Sequence, residues 1–270
     1  MGTALNQVCQ SVGISCDQPS HTEVDVTDPD AIIGAIRLFT PDVVVNSVAM
    51  IGYDICENDP ALAFGVNSLP ASAMAKACAD RDATFVQIST HAVFDGMATA
   101  PYSEEDVPNP LNCYAVTKYM AELFCRNLCK RHYVIRLPTL FGPRRNSRPG
   151  FVDKVLSRAV KGEKLRIAVD KIDSPTYSLD AARALVGMLQ DCRPSGVYHL
   201  TNHGSVSYFD FVATMMRYIA SSVEITAVND GDFPFQGRKP LGTSMLSVRL
   251  PQMRSWQDAL QEYLGSEGYN

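Results

Sequence analysis

Short β-branched runs alternate with longer helical stretches along most of this chain. The runs lie at 43–45, 84–88, 133–135 and 197–200, and each one follows a segment with helical periodicity. Short buried strands separated by helices are typical of a parallel sheet that is covered on both faces. The alternation therefore predicts an α/β fold with a doubly wound parallel sheet. Because ligands bind beyond the carboxyl ends of such strands, we expect the loops after the first three runs to carry the function.

Three helices can be placed from local signals. Asp28 and Pro29 are typical of an N-cap followed by a first helical residue. The segment 61–79 has helical periodicity, and Pro70 within it should break or kink the helix. A further helix is predicted over 114–128, directly after a segment rich in proline and asparagine.

Residues after 140 depart from this regular alternation. Proline and glycine cluster at 142–150, 173–177 and 231–242. We therefore expect a second, smaller lobe at the C-terminal side, with the chain returning once to the sheet. The predicted division is a sheet domain of 1–140 plus 178–200 and a small lobe of 141–177 plus 201–270.

The charge balance argues against a nucleic-acid partner. The formal net charge is −5 and the sequence pI is about 5.5, and the chain has no dense run of Lys and Arg. The one basic cluster is Arg144, Arg145 and Arg148 in a loop rich in proline and glycine. It could bind a phosphate or simply keep the loop solvated.

The chain has the composition of a cytoplasmic protein. Its eight cysteines form no CxxC pattern, which favours structural thiols in a reducing compartment, and no metal site is predicted. The segment MGTALNQVCQSVGIS lacks the basic and apolar regions of a signal peptide. Asn46 and Ser47 interrupt the longest apolar run, so we expect no membrane span.

Tyr114 and Lys118 are the strongest chemical signal. Their spacing of four residues places both side chains on one face of a helix. A nearby ammonium would lower the pKa of a tyrosine towards neutrality and make it a proton donor. Thr90, at the end of a predicted strand, could hold a carbonyl oxygen against Tyr114. This set of residues suits the reduction of a ketone by hydride transfer.

The spacing of Tyr114 and Lys118 alone is also common in ordinary surface pairs, but its surroundings are more specific. The stretches Ile88–Gly96, Pro101–Pro110 and Asn112–Lys118, with Glu122, resemble one block of the dTDP-4-dehydrorhamnose reductases and their relatives, which include the β-subunit of methionine adenosyltransferase. Further matching stretches lie at 24–28, 41–46, 136–142, 174–176, 196–199 and 238–240. The resemblance covers nearly the whole chain.

This resemblance to extended short-chain dehydrogenases/reductases implies a Rossmann-like NAD(P)-binding domain and a substrate lobe. It implies reduction of a nucleotide-linked 4-keto-6-deoxy sugar, as in dTDP-rhamnose biosynthesis, with Thr90, Tyr114 and Lys118 as catalytic residues. The cofactor, NADPH or NADH, is expected to contact Gly2, Asp25, Val26, Asn46, Ala49, Asn67, Ser89, Tyr114 and Lys118. The substrate is expected to contact His91, Thr139 and Arg238. Without the resemblance, Asp25 would be interpreted as a strand-end cap and Asn46 as a buried turn former.

The chain departs from the family pattern at its first residues. Family members open with a strand and a glycine-rich phosphate-binding turn, and Met1-Gly2 falls where the last of those glycines should be. We therefore expect a sheet that lacks the usual first strand. A start site recorded too far downstream, a truncated non-catalytic homologue, or a gap filled by another chain or a rearranged N-terminus would each explain this.

Two further departures concern function. The Asp-Tyr pair that follows Ser-Thr in the reductases is His91-Ala92 here, so His91 is expected either to donate a hydrogen bond to a sugar or to be a solvated loop residue. The segment 136–142 is closer to the β-subunit of methionine adenosyltransferase. A non-catalytic regulatory or binding homologue is therefore the second hypothesis. A homodimer or a regulatory protein partner is compatible with either hypothesis.

Overall fold

A computed structural model describes residues 1–144 and 149–269, so Arg145 and Arg148 of the basic cluster lie outside the described residues. The α-helices are α1 (Gly2–Ser11), α2 (Pro29–Phe39), α3 (Tyr53–Asn58), α4 (Pro60–Asn67), α5 (Leu69–Ala79), α6 (Cys113–Leu128), α7 (Phe151–Val160), α8 (Ser178–Gln190), α9 (Tyr208–Tyr218) and α10 (Trp256–Ser266). The strands are β1 (Val43–Asn46), β2 (Thr84–Thr90), β3 (His132–Leu137), β4 (Leu140–Phe141), β5 (Leu165–Ala168), β6 (Ile172–Asp173), β7 (Thr176–Tyr177), β8 (Gly196–His199), β9 (Val206–Ser207) and β10 (Ile225–Val228). Two 3-10 helices are η1 (His91–Val93) and η2 (Asp230–Asp232).

The central sheet is parallel and has the strand order β1-β2-β3-β8. All four β-branched runs singled out from the sequence are strands of this sheet. The register pairs Asn46 with Gln87 and Ser89 with Arg136, so the carboxyl ends of neighbouring strands lie together. The predicted α/β fold with a Rossmann-like parallel sheet is confirmed.

Helices cover both faces of this sheet. Phe85 and Val134 pack on one face in a buried cluster with residues of α2, α5 and α6. Val86 and Ile135 pack on the other face, in a larger cluster with residues of α1 and α8. Burial on both faces explains why these strands are apolar throughout instead of alternating.

The helix boundaries follow local chemistry. The side chain of Asp28 accepts a hydrogen bond from the amide of Asp30 at 2.9 Å, and Pro29 is the first residue of α2, as predicted. The helical segment expected over 61–79, with a break or kink at Pro70, forms α4 and α5, and the break lies at Ser68, two residues before Pro70. Pro70 lies in the first turn of α5, where its missing amide hydrogen costs no helical hydrogen bond.

Later segments of the chain reach the carboxyl ends of the central sheet. The amide of Gln236 donates to Asp54 in the first turn of α3, and the amide nitrogen of the Asn112 side chain donates to the carbonyl of Arg238. This region carries three small two-stranded sheets, β5 with β10, β4 with β7, and β6 with β9. The predicted division into a sheet domain and a small lobe stays a prediction. None of the described helices has both the length and the apolar character needed to cross a membrane.

Candidate active site

The predicted catalytic residues meet where β2 ends and α6 begins. Asn112 caps α6, because its side-chain oxygen accepts from the amide of Ala115 at 2.9 Å. This fixes the first turn of α6, which carries Tyr114, and places Lys118 one turn later. Thr90 is the last residue of β2, and its hydroxyl oxygen accepts from the amide of Ala92 at 3.1 Å. The hydroxyl of Thr90 lies close enough to Tyr114 to lower the pKa of that phenol.

The ionisation of Tyr114 differs from the sequence-based expectation. Burial raises the pKa of Tyr114 to about 12, and the nearby hydroxyl of Thr90 only partly offsets it. We had expected the ammonium of Lys118 to lower this pKa. The structure differs from that expectation, because desolvation of the phenol dominates and Lys118 does not contribute to the shift. Tyr114 is therefore protonated at neutral pH and ready to act as an acid.

Lys118 is a buried cation. Its residue is 2% exposed, and its ammonium makes no hydrogen bond or ion pair with any residue in 1–144 or 149–269. Burial lowers the pKa of Lys118 to about 8, and the charge of Glu122 opposes that shift. An ammonium held in this way can donate hydrogen bonds to a ligand.

Glu122 anchors this region through a network of buried hydrogen bonds. Its Oε1 accepts from the hydroxyl of Ser89 at 2.5 Å and from Nε of Arg136 at 3.0 Å, and its Oε2 accepts from Nη2 of Arg136 at 2.7 Å. Glu122 is fully buried and Arg136 is 2% exposed. Ser89 is predicted to contact the cofactor, and in the structure its hydroxyl donates a hydrogen bond to Glu122.

Aromatic rings line the site beside Tyr114. The ring of Tyr53 meets that of Tyr114 edge to face, with centroids 5.7 Å apart, and Phe235 meets Tyr53 in the same way at 5.7 Å. Burial raises the pKa of Tyr53, and the charges of Asp173 and Asp230 contribute to that shift. Side chains of α3, of α6 and of the later chain therefore line one pocket beside Tyr114.

His91 and Asp173 form a buried pair in the same pocket. His91 opens η1 directly after Thr90, and its Nδ1 lies 3.4 Å from Oδ1 of Asp173. His91 is 8% exposed and Asp173 is 1% exposed. The prediction that His91 could be a solvated loop residue is therefore wrong.

The other two predicted substrate residues differ in their surroundings. The amide of Thr139 donates to Oδ2 of Asp173 at 3.0 Å, and its hydroxyl shares a 2.7 Å hydrogen bond with Tyr208. Thr139 thus belongs to the same cluster as His91. Arg238 is exposed, and its carbonyl accepts from Asn112, which ties its loop to the start of α6.

Asn46 and Asn67, the two asparagines predicted to contact the cofactor, make hydrogen bonds that hold the loop after β1. Nδ2 of Asn46 donates to Gln87 at 2.9 Å, and its Oδ1 accepts from the amide of Val48 at 3.1 Å. Asn67 is fully buried and binds both the amide and the carbonyl of Met50 and the hydroxyl of Thr117. Both side chains hold the loop after β1 in place. Ala49 lies half-buried in that loop.

The remaining predicted cofactor residues lie near the open edge of β1. A Cβ on Gly2 would come within 3.3 Å of the Ser47 hydroxyl, so the first turn of α1 lies against the carboxyl end of β1. Asp25 and Val26 were expected at the end of a strand, but they lie in a turn. There the carboxylate of Asp25 accepts from the amide of Thr27 at 2.8 Å. These hydrogen bonds from Thr27 lower the pKa of Asp25, which is exposed.

Two clefts are not lined by Thr90, Tyr114 or Lys118, although Arg136 lines the first of them. One of about 590 Å³ is lined by Glu105 and Arg126 among others, and one of about 550 Å³ by Met188 and His203 among others. Neither cleft is lined by Tyr114, so the site is defined by its buried polar side chains and not by the size of a cavity.

Sequence reasoning missed several residues of the site. Tyr53, Asp173 and Tyr208 come from α3, β6 and α9, and no short-range spacing links them to Tyr114. Glu122 and Arg136 were noticed only as parts of matching stretches. The one available signal was the spacing of Glu122, which follows Lys118 by a helical turn.

Residues 1–268 match the protein family described as RmlD substrate binding domain. The chain belongs to this family.

The similarity to individual relatives extends over almost the whole chain. The spore coat polysaccharide biosynthesis protein SpsK of Bacillus subtilis is 30% identical, over 98% of this chain and 93% of that protein. A dTDP-4-dehydrorhamnose reductase of Aggregatibacter actinomycetemcomitans is 27% identical, over 89% of this chain and 86% of that protein. The crystal structure of a dTDP-4-dehydrorhamnose reductase from Clostridium acetobutylicum superposes with a TM-score of 0.93, at 26% identity, over 99% of this chain and 95% of that one.

Proposed function

We propose that this RmlD family member is an NAD(P)-dependent oxidoreductase that reduces the 4-keto group of a nucleotide-linked 6-deoxy sugar. The observation that carries the proposal is the meeting of Thr90, Tyr114 and buried Lys118 at the carboxyl end of β2. Several relatives bear the name dTDP-4-dehydrorhamnose reductase, which makes dTDP-4-dehydrorhamnose the first substrate to test.

The described residues fit a nicotinamide dinucleotide, with NADPH preferred and NADH as the other candidate. Lys118 is a buried donor without an acceptor, which the hydroxyls of a ribose would satisfy. The first turn of α1 carries no acidic residue and lies against Ser47, so the positive end of its helix dipole suits a pyrophosphate. A reductase from Bacillus anthracis with the same fold was solved in complex with NADP. The residues proposed to hold the cofactor are Gly2, Asp25, Val26, Asn46, Ala49, Asn67, Ser89, Tyr114 and Lys118.

In the proposed reaction, a dihydronicotinamide held by these residues would supply a hydride to the carbonyl carbon. Thr90 holds the carbonyl oxygen by a hydrogen bond and so orients the ketone against Tyr114. Tyr114 then gives its proton to that oxygen as negative charge develops there. With its pKa raised to about 12, Tyr114 keeps this proton until the much more basic alkoxide forms.

Lys118 stabilises the state that follows proton transfer. The phenolate left on Tyr114 is a buried anion, and a cation one helical turn away lowers its cost. Because burial lowers the pKa of Lys118 to about 8, the ammonium is present at neutral pH and is lost under alkaline conditions. The substrate is proposed to contact His91 and Thr139 in the pocket and Arg238 at its rim.

The experiment is to mix the full chain with NADPH and dTDP-4-dehydrorhamnose and to follow NADPH absorbance. We expect consumption of NADPH by the wild-type protein and a loss of about 100-fold or more in Tyr114→Phe. Tyr119→Phe, which changes a half-buried tyrosine of the same helix, is the matched control. A folded wild-type protein that binds NADPH without reducing the sugar would contradict the proposal and favour a regulatory or binding homologue.

A further inference from the structure

The two ring nitrogens of His91 have different surroundings. Nδ1 is fully buried, makes no hydrogen bond, and lies 3.4 Å from Oδ1 of Asp173. Nε2 also makes no hydrogen bond with any residue in 1–144 or 149–269, but it is not among the fully buried nitrogens. One nitrogen therefore faces a carboxylate, and the other is open to the pocket.

The negative charge of Asp173, 3.4 Å from Nδ1, favours the tautomer that carries the proton on Nδ1. Its Oδ2 accepts from the amide of Thr139 at 3.0 Å, and its Oδ1 accepts from the amide of Ser174 at 2.8 Å. A carboxylate held by two backbone donors can only accept, so the Nδ1 that faces it is the protonated nitrogen. Burial lowers the pKa of His91, and Lys171 adds to this shift while Asp173 opposes it. The ring is therefore neutral, and Nε2 presents a lone pair.

The position of His91 limits which substrate group can reach this lone pair. His91 follows Thr90, whose hydroxyl lies close to Tyr114 at the place where the ketone oxygen would lie. In a 4-keto-6-deoxy sugar the two carbons next to the ketone are C3, which bears a hydroxyl, and C5, which bears a methyl group. The C3 hydroxyl is the only hydroxyl next to the ketone.

We infer that His91, oriented by Asp173, accepts a hydrogen bond from the C3 hydroxyl and thereby selects substrates that carry it. This inference rests on the proposed function and adds a residue pair that sets substrate specificity. The reductases that the chain resembles have an aspartate directly after the threonine. In this chain the carboxylate belongs instead to Asp173 of β6, and it acts on the substrate through the imidazole of His91.

The test compares three ligands that differ only at C3. They are a dTDP-linked 6-deoxyhexose, its 3-deoxy derivative and its 3-deoxy-3-fluoro derivative, each titrated by calorimetry into the protein loaded with NADP⁺. A hydroxyl can donate a hydrogen bond, whereas neither hydrogen nor fluorine at that position can. We expect both derivatives to bind about 10-fold more weakly to the wild type than the parent sugar does.

Variants identify the residue responsible. In His91→Phe the affinity ratio between parent and deoxy sugar should fall to about 1, whereas exposed His21→Phe should keep the wild-type ratio. Because both ligands are titrated into one preparation, a partly unfolded variant gives the same ratio as a fully folded one. In Asp173→Asn the amide can donate to Nδ1 and reverse the tautomer, so the fluoro derivative should regain affinity relative to the deoxy one.

Three results would overturn the inference. These are an unchanged ratio in His91→Phe, a fluoro derivative that binds wild type as tightly as the parent sugar, or a wild type that binds none of the three. Turnover is measured separately with NADPH. A protein that fails to reduce the ketone but keeps the His91-dependent ratio would contradict the proposed function and still support the role of His91.

Discussion

Tyr114 adjoins two buried polar clusters that differ in construction. The lysine cluster consists of Lys118, Glu122 and Arg136, from α6 and β3. The histidine cluster consists of His91, Thr139 and Asp173, from η1, the segment after β3, and β6. In the lysine cluster both carboxylate oxygens of Glu122 are bonded, whereas the histidine cluster leaves Nε2 of His91 open.

This difference separates two tasks. The lysine cluster places a cation at the site, which is a requirement of the chemistry and does not depend on the sugar. The histidine cluster presents an unsatisfied acceptor, which is a means of recognising one ligand among several. Changes in the lysine cluster should therefore alter rate and pH dependence, and changes in the histidine cluster should alter substrate preference.

The largest effect is expected from Lys118→Met. Loss of the cation should lower kcat by about 10²- to 10⁴-fold, because the phenolate of Tyr114 would then be a buried anion without a partner. The same variant should be more stable than the wild type at pH 7. Burial lowers the pKa of Lys118 from 10.5 to about 8, so the folded protein holds an unfavourable charge below pH 8.

The pH dependence of that stability gain checks its origin. Between pH 8 and 10.5 the unfolded chain keeps a proton that folded Lys118 releases, so wild-type stability rises there and the gain should shrink. Exposed Lys76→Met is the matched control and should show no such gain. A Lys118→Met variant that is less stable than the wild type at pH 7 would contradict this account.

The next effect is a loss of stability in Arg136→Met. It leaves Glu122 as a buried carboxylate with Ser89 as its remaining partner, which should cost about 3–5 kcal/mol of unfolding free energy. Arg158→Met removes an exposed ion pair with Glu163 and should cost about 0–1 kcal/mol. Denaturant unfolding measures both values, and equal losses in the two variants would show that the lysine cluster contributes no special stability.

A smaller, diagnostic effect is expected from Glu122→Gln. In the wild type, kcat/KM should fall as pH rises through about 8, where Lys118 loses its proton. Removing the negative charge of Glu122 takes away the influence that raises this pKa, so the fall should move to lower pH. Ser89→Ala removes a hydroxyl but keeps the charge, and its midpoint should stay near that of the wild type. If the pH midpoints of kcat/KM coincide for the wild type, Glu122→Gln and Ser89→Ala, then Glu122 has only a structural role.

The smallest effect is expected from Asp25→Asn. Asp25 is exposed, so the stability change should lie within about 0.5 kcal/mol. If Asp25 contacts the cofactor, the Kd for NADPH should rise a few-fold, which titration of nicotinamide fluorescence would detect. Asp30→Asn in the first turn of α2 is the control. An unchanged Kd would leave Asp25 as a turn cap only.

The lysine cluster was largely within reach of sequence reasoning, and the histidine cluster was not. Spacing along one helix links Tyr114, Lys118 and Glu122, and strand periodicity placed Thr90 at a strand end. Asp173 meets His91 only because β6 returns to the carboxyl end of β2, and such contacts between distant segments leave no periodic signal. For that reason His91 was predicted as a contact without its partner.

Burial explains why the electrostatics at Tyr114 differ from the expectation. The expected lowering of the Tyr114 pKa assumes that Lys118 acts on it through space, whereas desolvation of the phenol dominates. Asn46 and Asn67 stay predicted cofactor contacts, and the structure shows that their side chains also make tertiary hydrogen bonds. Neither the burial of Tyr114 nor that of the two asparagines could be predicted from composition or spacing.

The most direct test of the proposed chemistry follows the hydrogen that reaches the sugar. The wild-type protein would be incubated with dTDP-4-dehydrorhamnose and NADPH deuterated at the transferable C4 position, and the product analysed by mass spectrometry and NMR. We predict one deuterium on C4 of the product sugar, with none at C4 when unlabelled NADPH is used in deuterated water. A product without deuterium at C4, or no product from a protein shown to bind NADPH, would contradict the assignment as a reductase.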